Sequence, residues 1–306
     1  MDVSRPLVIG HRGASAHRPE HTAPAYRLAW RSGADSVEPD VVGTRDGVLV
    51  CRHDLDLART TDVADRPEFA GRRRRMLVEG REVHGWFVTD FDLDEVRQLR
   101  ARERWPRKRP GSARYDGHFG VLTLKELLDL RAAESARLGR DLGVHIELKH
   151  PEVFADLGRP LHEPLVDLLR SRGLTSPLSG ASVMSFDAEV LRRVRREVDT
   201  ELVQLIDRAQ PVKRRRLQRI GGYATAVGLH KEHALPHDRA GRPGTAVAKA
   251  FGAGLDVLVW TLRKETRSEV GRLLDLGVDG VLTDFPEVAV EARARHLDRS
   301  AAIRAS

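Results

Sequence analysis

The stretch Ser36-Val37-Glu38-Pro39-Asp40-Val41-Val42 is an apolar run that carries two carboxylates, at positions i and i+2. Its shortness and its valines indicate a strand, in which residues two apart project from the same face, about 7 Å apart along the chain. Two carboxylates on one buried face repel each other and lose hydration, so a cation or hydrogen-bond donors must compensate them. The stretch therefore predicts a charged functional site on a buried strand.

Strand-like and helix-like segments alternate along the rest of the chain. Short runs rich in Val, Ile and Leu predict eight strands: Leu7–Gly10, Ser36–Val42, Val144–Lys149, Ser179–Phe186, Glu201–Ile206, Ala224–Leu229, Asp256–Thr261 and Gly280–Thr283. Each is followed by a predicted helix: Thr22–Ser32, Thr123–Leu138, Leu161–Arg172, Asp187–Glu197, Val212–Ile220, Ala240–Gly252, Thr266–Leu276 and Pro286–His296. Eight such units predict an α/β protein, a (β/α)8 TIM barrel forming a single domain over residues 1–306. A doubly wound open sheet is the alternative, but no G-x-G-x-x-G motif follows the first strand.

The segment 55–118 interrupts this alternation. It contains the basic runs Arg72-Arg73-Arg74-Arg75 and Arg107-Lys108-Arg109, several glycines and prolines, and one predicted helix, Leu93–Arg104. A short strand, Val48–Cys51, precedes it. We interpret the segment as a small insertion after the second strand that covers one end of the barrel. Its basic runs are interpreted as solvated surface; attraction of an anionic substrate or lipid surface is the weaker alternative.

Composition limits the cellular setting and the partners. The chain has 306 residues, 41% hydrophobic and 32% charged, and a net charge of +7. It contains no apolar run long enough for a membrane span, no secretory signal pattern, and a single cysteine, Cys51. These features predict a cytoplasmic protein without stable membrane insertion, unless an upstream signal has been removed. The positive charge follows from an arginine-rich composition, and no nucleic-acid-binding motif accompanies it.

Polar residues collect where the predicted strands end. The active site of a TIM barrel lies at the carboxyl ends of its strands. There Glu38, Asp40 and Glu147 form a set of oxygen ligands that suits a hard cation such as Mg²⁺, Ca²⁺ or Mn²⁺. His11 and His53 suit proton transfer to and from a reacting group. These residues, with Lys149 and Arg12 to hold a phosphate, predict phosphodiester hydrolysis.

The same positions carry a resemblance to a known family. The relevant segments are Ile9-Gly10-His11-Arg12-Gly13-Ala14, Arg18-Pro19-Glu20-His21-Thr22, residues 33–41, Thr44-Arg45-Asp46-Gly47, His53-Asp54, Arg59-Thr60-Thr61, Thr123-Leu124-Lys125-Glu126, Ile146-Glu147-Leu148-Lys149, Ser185-Phe186, Trp260-Thr261 and residues 277–286. In this order they resemble the glycerophosphodiester phosphodiesterase family over nearly the whole chain.

The resemblance implies a (β/α)8 barrel and a metal-dependent hydrolysis of glycerophosphodiesters to glycerol 3-phosphate and an alcohol. It implies that the acid/base pair is His11 and His53 and that the substrate is a small-molecule phosphodiester. It also implies metal ligation by Glu38, Asp40 and Glu147, a phosphate-side role for Lys149, and a place near the substrate for Trp260. One position departs from the family pattern, because His21 replaces the asparagine of Pro-Glu-Asn-Thr. We expect a local change there without loss of activity.

Other interpretations of the site remain open at this point. The carboxylates could form ordinary salt bridges, and Trp260 could serve only in core packing. Alternative functions are a phospholipase D-type enzyme acting on lysophospholipids or sphingolipid head groups, and a non-catalytic barrel that binds phosphodiesters. The sequence does not predict an oligomeric state, the alcohol released or the identity of the cation.

Overall fold

A closed barrel of parallel strands forms the centre of the computed structural model, which describes residues 5–235, 245–264 and 266–305. The strands are β1 (Leu7–His11), β2 (Ser36–Glu38), β3 (Asp40–Gly43), β4 (Leu49–Cys51), β5 (Arg74–Val78), β6 (Arg81–Gly85), β7 (Gly143–Leu148), β8 (Ala181–Ser185), β9 (Glu201–Ile206), β10 (Ala226–His230), β11 (Asp256–Leu262) and β12 (Gly280–Thr283). Neighbours run in the order β2-β1-β12-β11-β10-β9-β8-β7, and pairing of β2 with β7 closes the ring. The predicted (β/α)8 barrel is confirmed.

The second barrel strand differs from the prediction, because Pro39 divides it into β2 and β3. Proline has no N–H to donate to a ladder. The two halves still occupy one strand position of the barrel, because β2 pairs with β1 and β7, and β3 also pairs with β7. The Pro39 carbonyl accepts a hydrogen bond from Glu147 N at 2.8 Å, which joins the interruption to β7.

Helices surround the barrel: α1 (Ala23–Arg31), α2 (Leu93–Val96), α3 (Pro110–Ala113), α4 (Leu124–Leu138), α5 (Pro151–Asp156), α6 (His162–Ser171), α7 (Ala188–Glu197), α8 (Arg214–Ile220), α9 (Lys231–Ala234), α10 (Thr245–Phe251), α11 (Arg267–Asp275) and α12 (Pro286–Ala305). A capping box begins α4, with reciprocal hydrogen bonds between Thr123 and Glu126 that the Thr-x-x-Glu pattern of the sequence favours. The first part of the predicted helix Ala240–Gly252 lies outside the described residues, and α10 covers most of the rest.

The insertion folds differently from its prediction. An antiparallel hairpin of β5 and β6 occupies its middle, and the predicted helix Leu93–Arg104 ends at Val96. Beyond α2 the chain forms isolated antiparallel β-bridges, in which Ala101 pairs with Thr61 and Arg100 pairs with Gly120. These tertiary contacts override the helical periodicity of the segment.

The basic run of the insertion is only partly solvated. Arg72 forms an ion pair with Glu95, and Arg74 forms one with Asp90. Their side chains are 32% and 45% exposed. Both pairs therefore stay within the insertion and stabilise its own surface.

Apolar side chains fill the barrel interior: Ile9, Met184, Val203, Leu205, Ala226, Leu258 and Leu282. A larger apolar layer lies between the strands and the helices. Since strand side chains alternate, the residue two positions after an interior residue also faces the barrel axis. This alternation places His11 after Ile9, Trp260 after Leu258 and Asp284 after Leu282 at the carboxyl-terminal mouth of the barrel.

Candidate active site

A cleft of about 590 Å³ opens at this mouth. Seven of the eight predicted site residues line it: His11, Arg12, Glu38, His53, Glu147, Lys149 and Trp260. The eighth, Asp40, is fully buried beside them. The fold thus gathers residues that are up to 249 positions apart in the sequence.

Three carboxylates form the floor of the cleft. One oxygen from each of Glu38, Asp40 and Glu147 lies within 4.8 Å of the other two. Lys149 Nζ lies 3.2 Å from Asp40 Oδ1 and 2.6 Å from Glu147 Oε1, and Arg12 Nε lies 2.9 Å from Asp40 Oδ2. These two cations compensate part of the negative charge.

Two of these carboxylate oxygens are left without a well-directed hydrogen bond. Asp40 Oδ1 and Glu147 Oε1 are buried and accept none from the described residues, although Lys149 is close to both. Buried oxygens of this kind are expensive unless they are satisfied. Three converging carboxylates with open lone pairs fit a hard divalent cation.

The three carboxyl groups have different proton affinities. Burial, and then the charges of Asp40 and Glu147, raise the pKa of Glu38 well above its usual value of 4.5. Burial also raises the pKa of Glu147, to about 7. Burial alone would raise the pKa of Asp40 too, but Lys149 and Arg12 hold it well below its usual range. Asp40 is therefore the permanently charged member of the cluster.

Each histidine is bound by a carboxylate through Nδ1. His11 Nδ1 lies 2.6 Å from Asp284 Oδ1, and His53 Nδ1 lies 2.9 Å from Asp54 Oδ1. Burial alone would raise the pKa of Asp284, but contacts that include His11 and Arg109 lower it to about 2. Asp284 is therefore ionised and accepts a hydrogen bond from His11. Nδ1 of His11 carries the proton of that bond, and its Nε2 is left to exchange a proton with a reacting group.

Burial, together with the positive charge of the site, lowers the pKa of both histidines and favours their neutral form. Burial, followed by Arg12 and Lys149, lowers the pKa of His53 to about 3. Burial, followed by Arg12, also lowers the pKa of His11. In this state each ring has an Nε2 that can accept a proton.

His21, where the sequence departs from the pattern that it otherwise resembles, is part of the site. Its side chain is fully buried, with Nε2 3.0 Å from Asp40 Oδ2 and Nδ1 2.8 Å from Tyr26 Oη. Its φ of +59° is one that asparagine adopts more readily than most residues. The preceding Glu20 accepts a hydrogen bond from Arg12 Nη1 at 3.0 Å. We expected only a local change at this position, and the structure shows that His21 contacts Asp40, a candidate metal ligand, directly.

Trp260 forms one wall of the cleft. Its indole Nε1 donates to Gly228 O at 3.0 Å, and its ring meets Phe186 edge to face at 5.4 Å between centroids. The hydrogen bond satisfies the indole N–H and fixes the ring, while part of the side chain remains exposed. Trp260 therefore packs against its neighbours and also lines the cleft.

Sequence reasoning assigned no role to Asp54, Asp284 or Arg104, and it interpreted the basic run with Arg109 as solvated surface. That interpretation is wrong for Arg109, whose side chain is 10% exposed and pairs with Asp284. The two aspartates had a signal, because each lies at the end of a predicted strand or its loop. The two arginines had no such signal, since they belong to an insertion whose path depends on tertiary contacts.

Among the helices of residues 5–235, 245–264 and 266–305, none combines the length and apolar character that crossing a bilayer requires.

Comparisons with known proteins agree with this geometry. The family model of the glycerophosphoryl diester phosphodiesterase family matches residues 11–288. A glycerophosphodiester phosphodiesterase of Arabidopsis thaliana is 32% identical over 93% of this chain and 85% of its own length.

Solved structures show the same likeness. A glycerophosphoryl diester phosphodiesterase structure from Silicibacter pomeroyi aligns with a TM-score of 0.74 at 25% identity, covering 95% of this chain and 93% of the other. An Oleispira antarctica phosphodiesterase, solved in complex with its product sn-glycerol 3-phosphate, shares the fold with a TM-score of 0.67 at 22% identity, covering 94% of this chain and 96% of its own. The chain belongs to the glycerophosphoryl diester phosphodiesterase family.

Proposed function

We propose that this protein hydrolyses glycerophosphodiesters to glycerol 3-phosphate and an alcohol, with a divalent cation such as Mg²⁺ or Ca²⁺. The observation that carries the proposal is one cleft in which a cluster of three carboxylates lies beside two histidine–aspartate pairs. Membership of the family supports the substrate class, and the solved relative with bound glycerol 3-phosphate supports the product.

Glu38, Asp40 and Glu147 would hold the cation. When bound, it supplies positive charge that polarises a phosphoryl oxygen. The unsatisfied oxygens of Asp40 and Glu147 support this assignment.

His11 and His53 act as the acid/base pair. One accepts a proton at Nε2 from the attacking water or substrate hydroxyl. The other must first take up a proton at Nε2 from solvent, and it donates that proton to the leaving alkoxide. Asp284 and Asp54 keep each Nδ1 protonated and each Nε2 directed to the reacting group. Their carboxylates also stabilise the imidazolium that forms when Nε2 accepts a proton.

Arg12 and Lys149 bind the phosphate group. Lys149 lines the cleft and its side chain is 12% exposed, so its ammonium can contact a ligand without leaving the carboxylates. Trp260 and Phe186 supply the apolar wall against which the carbon skeleton of the substrate packs.

A substrate panel tests the proposal. Purified protein is incubated with glycerophosphocholine, glycerophosphoethanolamine or lysophosphatidylcholine micelles, with each divalent cation in turn, and glycerol 3-phosphate and free choline are measured. We expect release of glycerol 3-phosphate from the water-soluble diesters. Turnover of lysophosphatidylcholine alone would favour the phospholipase D-type function, and tight binding of the diesters without turnover would favour a non-catalytic barrel.

A further inference from the structure

Two arginines of the insertion contact the two carboxylates that hold the histidines. Arg104 Nη1 lies 2.5 Å from Asp54 Oδ2, and Arg109 Nη2 forms an ion pair with Asp284 Oδ2. The other oxygen of each aspartate binds the histidine: Oδ1 of Asp54 binds His53, and Oδ1 of Asp284 binds His11. Both sites therefore contain the same order of contacts, from histidine to aspartate to arginine. The Arg109–Asp284 contact is a hydrogen-bonded ion pair, whereas Arg104 and Asp54 form an ion pair without a well-directed hydrogen bond.

Both guanidinium groups are buried and held on more than one side. The side chains of Arg104 and Arg109 are 4% and 10% exposed. Arg104 also donates from Nε and Nη2 to Glu20, at 2.9 and 2.7 Å. Arg109 Nη1 donates to the carbonyl of Ser15 at 3.0 Å. These bonds fix the planes of the guanidinium groups, and with them the orientation of the aspartates.

The loop between the two arginines is folded against itself. Trp105 N donates to Glu103 Oε1 at 3.0 Å, and Arg109 N donates to Trp105 O at 2.9 Å. The guanidinium carbons of Arg104 and Arg109 lie 5.9 and 4.8 Å from the Trp105 ring centroid. This loop thus presents two arginines, five residues apart, to two aspartates that come from opposite ends of the chain.

We propose that Arg104 and Arg109 are positioning residues that orient His53 and His11 through Asp54 and Asp284. The inference rests on the acid/base roles proposed for the histidines. Neither arginine lines the cleft, so neither is assigned a contact with the substrate. An aspartate held by an arginine on one oxygen has its other oxygen fixed toward Nδ1–H, which sets the tautomer and the direction of Nε2. The insertion then completes the acid/base machinery in addition to covering the barrel.

A purely structural role is the competing explanation, because the same ion pairs attach the insertion to the barrel. The two roles differ in how they depend on the histidines. If Arg109 acts through His11, its loss has no effect on turnover once His11 is absent. If Arg109 only stabilises the fold, its loss has the same effect in both backgrounds.

The test measures kcat and KM for glycerophosphocholine. Arg104→Met and Arg109→Met are each made in the wild-type, His53→Ala and His11→Ala proteins. Arg102→Met is the matched control, since Arg102 belongs to the same segment and forms an exposed ion pair with Asp65. Near-ultraviolet circular dichroism and Tm verify folding.

We expect Arg104→Met and Arg109→Met each to lower kcat by about tenfold or more with little change in KM, the scale typical of groups that orient a catalytic ligand. We expect Arg102→Met to stay within about twofold of wild type. The effect of Arg109→Met should disappear in His11→Ala, and that of Arg104→Met in His53→Ala. Arg104→Lys replaces Arg104→Met should the latter fail to fold, and it should lose kcat because lysine cannot span Asp54 and Glu20 together.

Equal fold-losses in the presence and absence of the partner histidine would overturn the inference. So would kcat values for the Arg109 and Arg104 variants that match the Arg102 control. Absence of turnover in the wild-type protein would instead contradict the proposed function, and the two failures are therefore distinguishable.

Discussion

Replacing Glu38 by glutamine should stabilise the metal-free protein, although it removes a candidate metal ligand. Among the described residues Glu38 has no ion-pair partner, and its side chain accepts one hydrogen bond, from Arg12 N at 3.1 Å. Asp40, in contrast, is surrounded by Arg12, Lys149 and His21. Without a cation, Glu38 is the carboxylate that the cluster tolerates least.

The size of the effect follows from proton uptake. The pKa of Glu38 is raised in the folded protein by burial and by the neighbouring carboxylates, from an ordinary value of 4.5. The group thus contributes stability that is complete below its unfolded pKa and is lost as pH rises through its folded pKa. Glutamine takes up no proton, so the advantage of Glu38→Gln over wild type should grow by about 1.4 kcal/mol per pH unit above 4.5 until Glu38 ionises.

Asp40→Asn is the matched control, and it should have the opposite effect. It leaves Lys149 and Arg12 with less compensating charge in a buried site, a change that costs about 3 to 5 kcal/mol. We expect urea unfolding in excess chelator, followed by tryptophan fluorescence from about pH 5 to about pH 8, to rank the proteins as Glu38→Gln, wild type, Asp40→Asn from most to least stable. A Glu38→Gln variant as unstable as Asp40→Asn across this range would refute the reasoning.

Three further predictions concern the histidines and the cysteine. His11→Ala and His53→Ala should each lower kcat for glycerophosphocholine by about a hundredfold or more; near-wild-type turnover of either would move the acid/base role elsewhere. His21→Asn should retain activity but lose about 1 to 3 kcal/mol in urea unfolding, because a buried hydrogen bond and packing volume are lost; an inactive, fully stable variant would contradict this. Cys51 is fully buried and burial raises the pKa of its thiol to about 12, so a thiol reagent at about pH 8 should modify it only after unfolding; rapid reaction of the native protein would contradict its burial.

The barrel could be predicted from the sequence because its signals are local. The strand runs and the capping box at Thr123 and Glu126 lie within short windows, and their repetition leaves few architectures. The same reasoning failed for Leu93–Arg104, where bridges from Thr61 and Gly120 capture a segment with helical periodicity. The predicted strand Ser36–Val42 lies between these cases: the strand is present, but Pro39, which has no N–H to donate, interrupts it for one residue between β2 and β3.

The candidate site was predictable where its residues lie at the ends of strands. Glu38, Asp40 and Glu147 follow from strand alternation, and the structure brings them together. The links from Arg104 and Arg109 to the histidines were not predictable, because they depend on the course of an irregular insertion. The contact of His21 with Asp40 required the left-handed backbone at that residue, which no sequence periodicity indicates.

The central claim is that a cation held by the three carboxylates is needed for hydrolysis at this cleft. The most direct measurement strips the purified protein with chelator and follows glycerol 3-phosphate and choline released from glycerophosphocholine, before and after Mg²⁺ or Ca²⁺ is restored. The account predicts no turnover in excess chelator and recovery of both products with the cation in wild type, but not in Asp40→Asn. Full activity in excess chelator, or release of phosphocholine in place of choline, would contradict it.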